Sequence, residues 1–151
     1  MNKVLHPFCN ACGWRKGGLD SWDGNKCKCG HYAPPMPAIY LVCPVRNVTP
    51  ELSEQIAKYV SNLEKLGANV HYPPRDVDQN DPTGERICRA HLAAMERATE
   101  VHVYWDVESK GSHFDIGMAY ALGKKIVPVF CVRPDSGKSY WKVMNIWAAK
   151  D

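Results

Sequence analysis

Two groups of residues in this chain have the types and spacing to do chemistry. The first is Gly111, Ser112, His113 and Asp115, which fall between an apolar run at Val101–Trp105 and another at Ile126–Phe130. A strand, then small residues, then a helix with an acid near its start is a site-building unit, because ligands of open parallel sheets bind outside the carboxyl ends of the strands. A carboxylate placed there can act as a nucleophile or anchor a ligand. The second group is Cys9, Cys12, Cys27 and Cys29, a C-x2-C pair and a C-x-C pair separated by fourteen residues. Zinc takes four tetrahedral sulfur or nitrogen ligands, and two short pairs flanking a hairpin-length segment supply them.

The cysteine spacing predicts a zinc ribbon over residues 1–35, with a structural Zn2+ on Cys9, Cys12, Cys27 and Cys29. Gly13 and Gly30 follow the two pairs, and Gly17, Gly18 and the Asp23-Gly24 turn signal lie between them. The C-x-C pair is shorter than the usual C-x2-C, so His6 or His31 could replace one sulfur. Four protein ligands close the coordination sphere, which makes such a metal structural and not catalytic. The plain alternative is a pair of disulfides or four separate thiols, which a reducing compartment disfavours.

The elements that must position Asp115 follow a βα rhythm after a stiff connection, Ala33-Pro34-Pro35-Met36-Pro37, which separates 1–35 from an α/β module over 36–151. Ile39–Cys43 reads as a first strand. Thr49 caps a helix with Pro50 at its first position, and Leu52, Ile56, Tyr59, Leu63 and Leu66 keep helical spacing up to Gly67. Asn69–Tyr72 is a second strand. A polar loop over 73–83, long enough to be a lid or binding loop, leads to a helix over about 84–98 with Ile87, His91 or Leu92, Met95 and Ala98 inward. Val101–Trp105 is the third strand. The next helix spans about His113–Leu122 with Asp115 in its first turn and Gly123 as its stop, and Ile126–Phe130 is the fourth strand. The class is therefore α/β: a doubly wound parallel sheet of about four or five strands in the order 2-1-3-4, with a small N-terminal zinc ribbon. A final segment over 139–150 packs Trp141 and Trp147 across one face.

The 151 residues are 45% hydrophobic, enough to fill the core of one domain with a small appendage. No apolar run nears the roughly 18 residues that span a bilayer, and the N-terminus lacks the apolar segment of a signal peptide, so a cytoplasmic protein without membrane contact is expected. A net charge of +3 with both signs interspersed leaves no basic stripe to mark a dedicated nucleic-acid binder. Cys43, Cys88 and Cys131 read as buried small hydrophobes, and Lys110, Lys124 and Lys125 as solvated surface.

Two stretches resemble one family. Ile39-Tyr40-Leu41-Val42-Cys43-Pro44-Val45-Arg46 resembles the opening strand and loop of the nucleoside 2-deoxyribosyltransferases, IYLAGP followed by Arg. The run Gly111-Ser112-His113-Phe114-Asp115-Ile116-Gly117-Met118-Ala119-Tyr120-Ala121-Leu122-Gly123-Lys124-Lys125 resembles that family's G-T-x-x-E-I-G-Y-A-x-A-L-G-K-P signature. The resemblance covers about residues 38–131. It implies a flavodoxin-like domain whose carboxylate, here Asp115, attacks the anomeric carbon of a deoxynucleoside or nucleotide and expels the base. Water or a second base then completes hydrolysis or transfer. It also implies that Tyr40 orients the carboxylate, that Gly111 and Ser112, with His113 beside them, hold the sugar or its 5′ substituent, and that Arg46 grips a phosphate. A homo-oligomer is implied as well, a neighbouring subunit completing the site.

Two positions depart from the family pattern. The family nucleophile is Glu, longer than Asp by one methylene or about 1.5 Å. The helix before strand three carries an Asp in the family, and the matching residue here is His91. Asp76, Asp78, Asp81 or Asp106 could then supply the missing carboxylate to the substrate. Each residue also has a structural role open to it: Asp115 as a helix cap, Tyr40 as packing on a buried strand, His91 as an interior histidine. Three functions remain: an N-glycosidase or transferase, a nucleotide-sensing domain without chemistry, and a zinc-ribbon adaptor for nucleic acid or protein, least favoured by the weak charge.

Overall fold

The computed structural model describes residues 22–23, 26–27, 36–133 and 136–150. Within the N-terminal module it describes a short antiparallel hairpin, β1 (Trp22–Asp23) with β2 (Lys26–Cys27), in the register Trp22↔Cys27 and Asp23↔Lys26. The proposed ligands Cys9, Cys12 and Cys29, and the ribbon as a unit, lie outside the described residues. Among the described residues no three His, Cys, Asp or Glu side chains converge to hold a metal ion, and no helix is long and apolar enough to cross a membrane.

The α/β module is built on four parallel strands: β3 (Ala38–Val42), β4 (Asn69–His71), β5 (Glu100–Asp106) and β6 (Lys125–Arg133). Their spatial order is β4-β3-β5-β6, which is the expected 2-1-3-4. Near-continuous apolar runs suit strands covered on both faces. One face carries Tyr40, Val42, Val101, Val103 and Trp105 beneath the helices α3 (Glu85–Arg97), α4 (Lys110–Ala121) and α5 (Tyr140–Ala148). The other carries Ile39, Leu41, Val70 and Tyr104 against α1 (Pro50–Lys65). Ile56 and Val60 of α1 are buried there, each contributing about 1.5–3 kcal/mol.

Local chemistry sets the helix ends. Thr49 accepts a hydrogen bond from the Leu52 amide at the start of α1, and Pro50 occupies the first turn, where it needs no donor. Gly67 and Gly123 follow α1 and α4 in the left-handed region, at φ +96° and +62°, which favours glycine. Ser139 caps α5, and Trp141 and Trp147 pack against the core, Trp147 stacked on Tyr120.

Helix α4 begins three residues earlier than the sequence pattern indicates. Ser109 is its cap, accepting from the Ser112 amide, so Gly111 and Ser112 belong to the helix and Asp115 sits in its second turn. Asp115 is therefore not the cap. The polar loop is also partly helical: α2 (Pro73–Asp76) opens it. Within α3 the choice between His91 and Leu92 resolves to His91, which faces inward, while Leu92 is 39% exposed.

Candidate active site

A cavity of about 370 Å³ opens where the loops leave the carboxyl ends of β3 and β5. Chain direction across the sheet reverses between these two neighbours, since β4 lies beyond β3 and β6 beyond β5. Such a reversal parts the two loops and leaves a crevice between them. Cys43, Arg46 and Asn47 line it from the β3 side, Ser109, Lys110, Gly111 and Asp115 from the β5 side, and Ile87, Cys88 and His91 from α3. Its size falls within the range that holds small ligands, about 300–1,000 Å³.

Asp115 stands in this wall with 9% of its side chain exposed and both oxygens engaged. The Tyr40 hydroxyl donates to Oδ2 at 3.0 Å, and His91 Nδ1 lies 3.4 Å from Oδ1. Tyr40 comes from the centre of β3, His91 from α3, and Asp115 from α4, so three elements fix one carboxylate. Parallel pairing sets Tyr40 beside His71 of β4, and their rings stack at 5.3 Å with a 20° interplanar angle. His91 meets Tyr40 edge-on at 5.8 Å. The phenol is thus clamped between two imidazoles while its oxygen holds the acid.

Electrostatics follow from burial. Desolvation first, then the Asp115 charge, holds the Tyr40 phenol well above its ordinary range, so it remains a proton donor at any working pH. The same two causes push the Cys43 thiol up to about 12. Burial holds His71 below the usual imidazole value, with Asp76 opposing, and this favours a neutral ring behind Tyr40. The helix dipole acts within the first turn. Asp115 stands in the second turn, and its partners are Tyr40 and His91.

The structure brings Arg46, His91, Gly111 and Asp115 together in the cavity wall, with Tyr40 bonded to Asp115, and places three other candidates elsewhere. His113 lies two positions before Asp115, and i, i+2 residues do not share a helix face. Its ring packs on Trp105 at 4.6 Å and on Tyr140 at 5.6 Å, with Nδ1 2.8 Å from the Ser109 carbonyl. Asp106 is bound by Arg133, its register partner across β5 and β6, and accepts from the Glu108 amide. The Ser112 hydroxyl is buried and donates to Ser109 Oγ at 2.8 Å, so it shapes the turn and does not line the cavity. Asp76 is held by Arg75 and the Tyr72 amide, Asp78 by Arg86, and Asp81 by the Arg86 and Ile87 amides. None of these acids reaches the cavity.

Sequence reasoning missed five contributors. Lys110, read as solvated surface, lines the cavity, as does Ser109. The Ser109-x-x-Ser112 capping spacing was the available signal for both. Cys88 is exposed at the cavity and not buried, while Cys43 is buried and also lines it. His71 is brought to Tyr40 by strand pairing alone.

Comparison with known proteins bears on the family and the fold. Residues 39–146 match the family model described as nucleoside 2-deoxyribosyltransferase. Among solved structures, the chain is similar to the CMP N-glycosidase of Clostridium botulinum, with 17% identity and a TM-score of 0.54 over 74% of this chain and 82% of that one. At that identity the likeness speaks for the fold. No curated protein matches the sequence significantly.

Proposed function

Since the chain belongs to the nucleoside 2-deoxyribosyltransferase family, we propose that it cleaves or exchanges the N-glycosidic bond of a nucleoside 5′-monophosphate, with Asp115 as the attacking carboxylate. The observation that carries this reading is the clamped acid: a carboxylate held at both oxygens, on the wall of a cavity at the switch point of the sheet. An Asp115 oxygen attacks the anomeric carbon, and the bond to the base breaks with its electron pair going to the base. The resulting glycosyl ester is attacked at the same carbon by water or a second base, which restores the carboxylate. Dividing one displacement into two lowers each barrier. Tyr40 and His91 hold the acid in the attacking geometry, and a near-attack placement is worth several orders of magnitude in rate.

A phosphate fits the cation side of the cavity. Arg46 and Lys110 line the cavity, whose wall also includes Glu108, and the first amides of α4 point out of the helix start without intrahelical partners. Ser109 occupies the Ser112 amide, which leaves those of Lys110 and Gly111 to a ligand. The structural neighbour, a CMP N-glycosidase by name, acts on a substrate of this kind. The test is chromatography of free base after incubation with a panel of nucleosides, deoxynucleosides and their 5′-monophosphates. Base release abolished by Asp115→Ala supports the reading, and an added second base separates transfer from hydrolysis. Nucleotide binding by thermal shift with no release from any substrate would replace it with a sensing domain.

A further inference from the structure

We propose that His91 is a positioning residue that donates its Nδ1 proton to Asp115 and so fixes the plane of its carboxylate, an inference that rests on the reading of Asp115 as the attacking group. Two observations meet in this ring. Its Nδ1 faces Asp115 Oδ1 at 3.4 Å, and its Nε2 is buried with no hydrogen-bond partner. A neutral imidazole protonates only one nitrogen. With the proton on Nε2, the Nδ1 lone pair would face a carboxylate oxygen, setting two acceptors against each other between side chains that are 12% and 9% exposed. With the proton on Nδ1, the contact becomes a charge-assisted hydrogen bond and Nε2 is left as a bare acceptor. The Nδ1–H form is the one this geometry selects.

The consequence concerns orientation. An aspartate has one torsion fewer than a glutamate, so its carboxylate plane is set by few contacts. Tyr40 fixes one oxygen through β3, and His91 fixes the other through α3. The imidazole is itself braced by the edge of the Tyr40 ring at 5.8 Å and the His71 ring at 6.4 Å. Contacts from two directions hold the plane against rotation. Asp76, Asp78, Asp81 and Asp106 are committed to other partners, so none of them substitutes for His91 here.

Two readouts test this on the full chain. Nitrogen-15 NMR of histidine-labelled protein, with the His91 signal assigned by its loss in His91→Asn, reads the tautomer without requiring turnover. We expect a protonated Nδ1 and a bare Nε2; a protonated Nε2 with bare Nδ1 overturns the proposal. Kinetics of base release provide the second readout. His91→Leu should lower kcat about a hundredfold, the scale of a misplacement of about 1 Å, with KM nearly unchanged. His91→Asn, whose Nδ2 can take the place of Nδ1, should recover most of that loss. An Asn variant no better than Leu, or a loss confined to KM, overturns the positioning role. Absence of base release in the unmodified protein would remove the glycosidase reading, while the tautomer would still decide whether His91 donates to Asp115.

Discussion

Replacing Tyr40 with Phe removes one oxygen and leaves the ring in place, and the structure sets the size of the effect. The lost contact is a 3.0 Å hydrogen bond from a fully buried phenol to a carboxylate that is 7% exposed. Hydrogen bonds to charged groups are worth about 1.5–3 kcal/mol. The stacking on His71 and the edge contact with His91 depend on the ring and survive. For a chain of this size, about 2–4 °C of melting temperature accompanies each kcal/mol, so Tyr40→Phe should melt about 3–12 °C lower. The freed Oδ2 lets the carboxylate turn away from its attacking geometry, and base release should fall about 10–100-fold. A double-mutant cycle with Asp115→Asn isolates the pair. Opposite a neutral amide the phenol makes only an ordinary hydrogen bond, worth about 1 kcal/mol, so Tyr40→Phe should cost less stability when Asp115→Asn is already present. Denaturant melts of the four proteins measure the coupling. Equal losses in both backgrounds, or a Tyr40→Phe protein with unchanged melting and rate, would refute the reasoning.

Other outcomes follow from the same geometry. Arg46→Ala or Lys110→Ala should raise KM about tenfold or more for 5′-monophosphates, the scale of one charge-assisted contact, and leave KM for the unphosphorylated nucleosides near its original value. On the alkaline side, Cys43 is pushed up from 9.0 to about 12 and Tyr59 from 10.0 to about 12, chiefly by burial. The unfolded chain therefore ionises these groups first and binds fewer protons, so stability should fall as pH rises from about 9 to 12, with Cys43→Ala flattening the start of the fall in thermal melts. On the acid side, His71 is held below 6.5, mainly by burial, so the unfolded chain takes up the proton first and stability should be lost as pH drops below about 6.5; His71→Phe should remove part of that slope. For the cysteine module we propose one structural zinc per chain: metal analysis should find it, Cys12→Ser should lose it, and base release should continue after chelation because a closed four-ligand site takes no part in the chemistry.

Much of the frame is legible in the sequence because it rests on local rules. Thr49 with Pro50, Gly67 and Gly123, and the apolar runs of β3 and β5 identify elements whose order then follows from the βα rhythm. The start of helix α4 is harder to read because Gly111 is a poor helix former and looks like loop, whereas Ser109 holds the first turn by accepting from both the Ser112 amide and its hydroxyl. That shift moves Asp115 out of the capping position and makes its side-chain partners decisive. Those partners come from non-local geometry. The Tyr40 to Asp115 bond joins residues 75 positions apart, and the Arg133 contact that occupies Asp106 spans 27. His71 reaches the site only through strand register, which no sequence pattern in β4 announces. The spacing of His113 from Asp115 puts it on another face of the helix, against Trp105 and Tyr140.

The most direct test of Asp115 as nucleophile is capture of the glycosyl ester itself. The protein is incubated with a 5′-monophosphate whose 2-fluorinated sugar slows breakdown of the ester, then digested with trypsin. The peptide Gly111–Lys124, which contains Asp115 as its only carboxylate side chain, is then weighed and fragmented. A mass gain equal to the sugar phosphate is expected, located on Asp115 and absent from Asp115→Asn. Base released at the same rate by the unmodified protein and by Asp115→Asn, with no adduct on this peptide, would contradict a nucleophilic Asp115.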